Sequence, residues 1–365
     1  MLEVKYWVGF NQIPGIGLMR FRRLLQYFSD LEGAWNASRE QLREAGLDER
    51  SIQAFSARRP TIDLDGEMEK LERLKIEVLI LNNPSFPQRL KEIYDVPPVL
   101  YVRGTLLLED EWSLAVVGTR RATMYGREVT ERLVTDLSRN KITIVSGLAR
   151  GIDTVAHKAA LAAGGRTIAV CACGLDMVYP AENRKLAQEI VEHGALVSDY
   201  PLGTKPRAEN FPRRNRIMSG LSLGTLATEA TEKSGALITT RMALEQDREV
   251  FAVPGSIFSA ASRGSNILIR DGAKAVLDVN DILEELNLSV IPHQLSLKEI
   301  IPEDETETLL LKHISEGPIH IDELCRSASL PISIVSSTLT MMELKGIVSN
   351  LGNMNYMITQ RARVN

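Results

Sequence analysis

The chain has 365 residues, 44% hydrophobic and 25% charged, values ordinary for a globular protein with room for one substantial domain and one or two small ones. No apolar run is long enough to cross a bilayer, and the start, MLEVKYWVGFNQIPGIG, lacks the basic opening, apolar centre and cleavage site of a secretory signal, so a cytoplasmic location is expected. The net charge of −4 argues against nucleic acid only until it is divided along the chain: residues 1–112 carry 15 basic and 18 acidic side chains, 113–286 carry 22 and 20, and 303–365 carry 5 and 8. The middle segment alone is basic, and its surplus gathers at Arg120 and Arg121, at Arg184 and Lys185, and from Lys205 to Arg216.

Residues 1–65 read as a small helical module. Its IPGIG turn sets Pro14, Gly15 and Gly17 ahead of an amphipathic helix, in the manner of a helix-hairpin-helix or SAM-like unit whose glycines let backbone N–H groups approach phosphate. Arg20, Arg22 and Arg23 on that helix read as a solvated face. Residues 66–112 are proline-rich with little periodicity and are expected to pack on the core as an extension.

From residue 113 the runs LAVVG, ITIVS, TIAVCA, ALVSD, TLATEA and EVFAVPG alternate with helical stretches. Continuous apolar strands separated by helices predict a Rossmann-like, doubly wound parallel sheet over a domain spanning 66–288, with ligands at the carboxyl ends of its strands. Cys171 and Cys173 share one face of a strand and Cys325 is remote, so buried thiols are expected, with no disulfide, metal or cofactor. Residues 289–304 read as a linker. Residues 305–365 give three helices and a β-hairpin, the layout of a winged helix. Its third helix ends with a single cation, Lys345, which favours a protein contact or a vestigial role over major-groove reading.

Glycine turns follow adjacent strands of the core: VVGTRRATMYG at 116–126 and IVSGLARGIDTVAH at 144–157, neither with dinucleotide-fingerprint spacing. Then come CACGLDMVYPAENRKL at 171–186, LVSDYPLG at 196–203, FPRRNRIMSGLS at 211–222, and the stretches TEKSGALITTRMALEQDREVFAVPG and SRGSNILIRDGA. In that order, over roughly residues 70–288, these segments resemble the DprA (DNA processing protein A, Smf) family. The resemblance implies a protein that binds and protects single-stranded DNA in a basic pocket, forms a homodimer, and helps to load RecA recombinase during natural transformation and homologous recombination. Two positions depart from the usual pattern. Cys171, Ala172 and Cys173 stand where a glycine is common, and Ala181 stands where some members place a lysine, with Arg184 and Lys185 one turn later.

Holding a strand without cutting it needs cations and N–H donors, and no catalytic group. Arg120 is expected to clamp a phosphate, helped by Arg121. Gly118, Ser146, Gly147 and Gly151 would offer N–H or hydroxyl donors. Arg184, Lys185, Arg213, Arg214 and Arg216 would line the path, Asn210 or Asn215 would reach a base edge, and Phe211 would stack on a base. By the same resemblance, Leu244 and Ile269 lie on the dimer face. The competing expectation is a nucleotide-hydrolysing Rossmann-like enzyme acting on a mononucleotide. Such hydrolases carry a PGGxGT loop with a catalytic glutamate, whereas SLGTLATEATEKSGALIT supplies only Glu229, so no enzyme is expected.

Overall fold

The computed structural model describes residues 3–288, 305–314, 319–328, 330–344, 348–350 and 354–358. Contacts divide the chain into two compact units, 1–286 and 287–365. The segment expected as a linker and Lys345 lie outside the described residues.

The first unit opens with six helices: α1 (Val4–Asn11), α2 (Leu18–Tyr27), α3 (Leu31–Asn36), α4 (Arg39–Glu44), α5 (Glu49–Arg58) and α6 (Leu64–Arg73). Short helices of this kind need tertiary packing to persist, and an aromatic cluster supplies it. Phe10 stacks on Phe55 at 5.3 Å between ring centroids and meets Trp35 edge-on at 5.1 Å. The IPGIG turn forms as expected, with Gly15 at φ 87° and Gly17 opening α2. Arg20 bonds Asp48 at 3.1 Å and Arg23 bonds the Gly46 carbonyl at 2.8 Å, so both are engaged inside the module.

A nine-stranded sheet follows, in the spatial order β1-β2-β6-β5-β4-β3-β7-β8-β9. Its strands are β1 (Ile76–Ile80), β2 (Val99–Gly104), β3 (Ser113–Gly118), β4 (Thr143–Ser146), β5 (Thr167–Val170), β6 (Gly194–Ser198), β7 (Gly224–Glu229), β8 (Glu249–Ala252) and β9 (Lys274–Ala275). All neighbours from β6 to β9 pair in parallel. β1 and β2 add an antiparallel pair along β6. Residues 66–112 therefore extend the sheet itself, which their prolines conceal in the sequence.

The helices between strands are α7 (Gln88–Lys91), α8 (Met124–Arg139), α9 (Ile152–Ala162), α10 (Arg184–His193), α11 (Asn210–Leu221), α12 (Ala236–Glu245) and α13 (Arg263–Arg270), and α14 (Asn280–Glu285) follows the last strand. Alternate residues of one strand enter different cores: Val99 and Tyr101 join the cluster shared with the N-terminal helices, Leu100 and Val102 the cluster containing Ile217 and Met218 of α11. The sheet is thus covered on both faces, as its apolar strands require. The helical module and the sheet share the first of these cores, and Asn11 donates to the Asp199 carbonyl at 3.1 Å. Cys171 and Cys173 are buried in it, and burial pushes their thiols up to about 12 and about 11.

The second unit contains α15 (Glu305–Ile314), α16 (Ile321–Ala328) and α17 (Ile332–Leu344), with β10 (Ile319–His320), β11 (Val348–Asn350) and β12 (Asn355–Ile358) in the order β10-β12-β11. Leu310, Leu324, Leu339 and Val348 form its core. This is the expected winged-helix layout, with one extra short strand. Among the described residues no helix is long and apolar enough to cross a membrane.

Candidate nucleic-acid interface

From β3 the chain builds the sheet in one direction, through β4, β5 and β6, and then returns to place β7 on the other side of β3. The carboxyl ends of β3 and β7 consequently flank the point where the winding reverses, the place where open α/β sheets leave a crevice. A cavity of about 700 Å³ lies there. The turn after β3 contributes Gly118, Arg120 and Arg121 to it, α11 contributes Phe211, Arg214 and Asn215, and the loop after β7 contributes Lys233.

The cavity has a charged mouth and a buried floor. Arg120, Arg121 and Lys233 are exposed. The Arg120 guanidinium sits 5.2 Å from the centre of the Phe211 ring, which Tyr179 meets at 5.7 Å, so cations and aromatic rings alternate at the entrance. On the floor Arg214 is only 3% exposed. Its Nη1 donates to the Met218 sulfur at 3.0 Å, its Nε is buried without a partner, and among the described residues no oxygen accepts from the guanidinium. Asp153, also buried and lining the cavity, accepts from the Ala149 N–H at 3.3 Å. Burial pushes its carboxyl up, opposed by the charge of Arg214; burial pushes Arg214 down, opposed by Asp153.

Two glycines make this packing feasible. Gly151, at φ 75°, occupies a conformation that suits glycine, and a Cβ there would lie 2.2 Å from the Thr119 carbonyl oxygen beneath the Arg120 turn. At Gly147 a Cβ would fall 1.7 Å from Arg214 Nη1. Glu229, the last residue of β7 and 1% exposed, fixes the other side of the turn. Its carbonyl accepts from the Thr119 N–H at 2.7 Å, and its carboxylate accepts from the Thr123 N–H at 2.9 Å and the Thr123 hydroxyl at 2.6 Å. Thr123 in turn caps α8 through the Gly126 N–H.

The family model for DNA recombination-mediator protein A matches residues 77–287, and that for the DprA winged helix domain matches residues 298–353. Protein Smf of Synechocystis is 34% identical over 97% of this chain and 98% of its own length. The chain belongs to the DprA family. DNA processing protein DprA of Bacillus subtilis is 42% identical over 68% of this chain and 82% of its own. Among solved structures, DprA of Streptococcus pneumoniae superposes with a TM-score of 0.68 at 36% identity, covering 77% of this chain and 97% of that one. DNA processing protein A of Helicobacter pylori, whose structure is described for its single-stranded DNA binding mode, gives 0.54 at 31% identity, covering 59% and 97%.

Within this DprA-family site, the structure brings Gly118, Arg120, Arg121, Phe211, Arg214 and Asn215 to one cavity, with Gly147 and Gly151 shaping it. The other expected residues stand elsewhere. Ser146 is fully buried and its hydroxyl donates to the Val116 carbonyl at 2.7 Å, leaving none to offer a ligand. Asn210 turns inward and donates to the carbonyls of Ala172 at 3.1 Å and Lys205 at 3.3 Å, so it ties down the loop before α11. Arg216 is paired with Asp199 at 2.5 Å and with Asp95 at 3.3 Å. Arg213 points to a separate cavity beside Gly15 and Arg20. Arg184 lines a third cavity with Arg103, and exposed Lys185 lies 3.9 Å from Glu189, so neither supplies charge to the mouth in place of a lysine at Ala181. The sequence reasoning missed Lys233 and the Ser234–Gly235 turn that starts α12. The available signal was the EKSG stretch directly after the strand that borders the winding reversal.

Proposed function

We propose that this chain binds and protects single-stranded DNA in the cavity between β3 and β7, acting in the cytoplasm as a homodimer that hands the strand to RecA recombinase in transformation and recombination. The observation that carries the reading is the pairing of an exposed cationic and aromatic mouth with a buried arginine lacking an oxygen acceptor, both at the winding reversal. The single-strand binding mode reported for the H. pylori protein supports it. The dimer proposal is supported by Leu244 of α12, 61% exposed, and by Ile269 of α13, half-buried, on two helices that both pack on β8. The hydrolase alternative finds no support in Glu229, whose two carboxylate oxygens are both engaged by Thr123.

A salt titration of single-stranded against duplex binding tests the reading. Affinity should fall steeply with salt and favour the single strand, and Arg120→Ala should both weaken binding and flatten the salt slope, because fewer counterions are released. Equal affinity and slope in that variant would remove Arg120 from the path.

A further inference from the structure

We propose that the cavity lined by Arg103 and Arg184, between α10 and the loop that follows β5, docks a segment of a partner protein in which carboxylates flank one bulky apolar side chain. The cavity measures about 520 Å³, inside the range of about 300–1,000 Å³ usual for ligand sites. It shares no residue with the cavity between β3 and β7. Its walls are aliphatic: the loop supplies Leu175, Met177 and Val178, β6 supplies Leu196, and α10 supplies Ala187 and Val191. Arg184, Ala187 and Val191 recur at helical spacing, so α10 turns one stripe to the cavity, with a cation at its start and a small side chain in its middle. Arg103 is the unusual member. Val99, Tyr101 and Arg103 alternate along β2 and so point to one face of the sheet; the first two are buried in the core shared with the helical module, whereas Arg103 is half-buried and lines the cavity. Among the described residues neither Arg103 nor Arg184 makes a hydrogen bond or an ion pair.

The carboxylates of the cavity do not answer these two cations. Asp176 accepts the Gly203 N–H, at 3.0 and 3.1 Å to its two oxygens. Glu192 is exposed and stands about 12 Å along α10 from Arg184. A guanidinium is a planar fork of donors that takes a carboxylate through two parallel bonds, and an aliphatic slot beside it takes a leucine- or phenylalanine-sized anchor. Charge complementarity therefore selects an acidic segment with an apolar anchor and rejects a basic one. The walls also argue against a second stretch of DNA. Single-strand binders hold bases on aromatic faces, and no aromatic ring lines this cavity, whereas Tyr179 and Phe211 stand at the other. Val178 lines this cavity and its neighbour Tyr179 lines the other, so a partner docked here would stand beside the mouth proposed for DNA.

The test uses the full chain and a fluorescent hexapeptide carrying aspartates on both sides of one phenylalanine. Anisotropy should show binding that weakens about tenfold, about 1.4 kcal/mol, when the phenylalanine becomes serine, and likewise when the aspartates become asparagines. Arg184→Glu and Arg103→Gln should each weaken the peptide about tenfold, with circular dichroism checking that both variants fold. A version with lysines in place of the aspartates should bind Arg184→Glu better than it binds the wild type, and Arg120→Ala should leave peptide binding unchanged. No binding by the wild type, or binding indifferent to the aspartates, to the phenylalanine or to both arginines, overturns the proposal and leaves the DNA reading standing. An oligonucleotide that displaces the peptide from the wild type, and loses as much affinity as the peptide does in Arg184→Glu, would assign the cavity to the DNA path and equally overturn it.

Discussion

Gly147→Ala adds one methyl group to the site and should disable it. The φ of Gly147 is not in the left-handed region, so alanine is compatible with the backbone and the effect comes from the methyl alone. That Cβ would stand 1.7 Å from Arg214 Nη1 and 2.5 Å from Cζ and Nη2. Carbon and nitrogen atoms rest at about 3.5 Å or more, so the guanidinium must retreat by roughly 2 Å. The retreat disturbs the bond that Nη1 makes to the Met218 sulfur at 3.0 Å. Any such move also takes the guanidinium from the place where its charge opposes the burial of the Asp153 carboxylate. Overpacking of this kind costs about 1–3 kcal/mol, and separating Arg214 from a buried carboxylate adds to it. We expect a loss of about 2 kcal/mol in urea unfolding together with a loss of oligonucleotide affinity of about tenfold or more, the latter measured where the variant is fully folded. The decisive control is Arg214→Ala, which vacates the space. Adding Gly147→Ala to it should then cost little, giving a coupling of roughly 1.5 kcal/mol or more in a double-mutant cycle. Wild-type stability and affinity in Gly147→Ala, or the same penalty with and without Arg214, would refute the reasoning.

Two further outcomes are expected. Leu244→Arg combined with Ile269→Glu should yield monomers in sedimentation, since a two-fold interface meets each substitution twice; a persistent dimer would relocate the interface. A chain ending at Ser289 should stay folded, because residues 1–286 form a compact unit, and should keep single-strand affinity within tenfold of the full chain, since residues 303–365 carry more acids than bases. A larger loss in a folded, dimeric protein would assign DNA contact to the winged helix.

The parallel core was legible because its strands are buried on both faces and read as unbroken apolar runs such as LAVVG and TIAVCA, each with a helical stretch after it. β1 and β2 were not, since an antiparallel pair among prolines carries neither that alternation with helices nor a turn signature. For the site, Arg120 and Arg214 were legible from their place after a strand or in a basic helix. The helix α11 shows the limit of that reading. Arg213, Arg214 and Arg216 are near neighbours in sequence, but successive helical residues point about 100° apart, so they face a second cavity, the floor and an acidic pair respectively. A cluster of arginines in the sequence is therefore three side chains with three different surroundings, and of these Arg214 is the one that lines the cavity between β3 and β7. Ser146 and Asn210 failed for a related reason: a polar side chain at the end of a buried strand or helix is needed by the backbone around it, and only the fold shows which carbonyl takes it.

Glu229 closes the argument about chemistry. It stands at the end of β7, where the competing hydrolase reading would have its carboxylate activate water. Its oxygens instead hold the Thr123 N–H and hydroxyl, while its carbonyl holds the Thr119 N–H. Thr119 and Thr123 bracket the turn that carries Arg120 and Arg121. These bonds tie the carboxylate to Thr123 at the capped start of α8, and through it to the turn that carries the two arginines. The geometry thus gives Glu229 a positioning part in the turn that carries Arg120 and Arg121, and the proposed grip on DNA would depend on it through that turn.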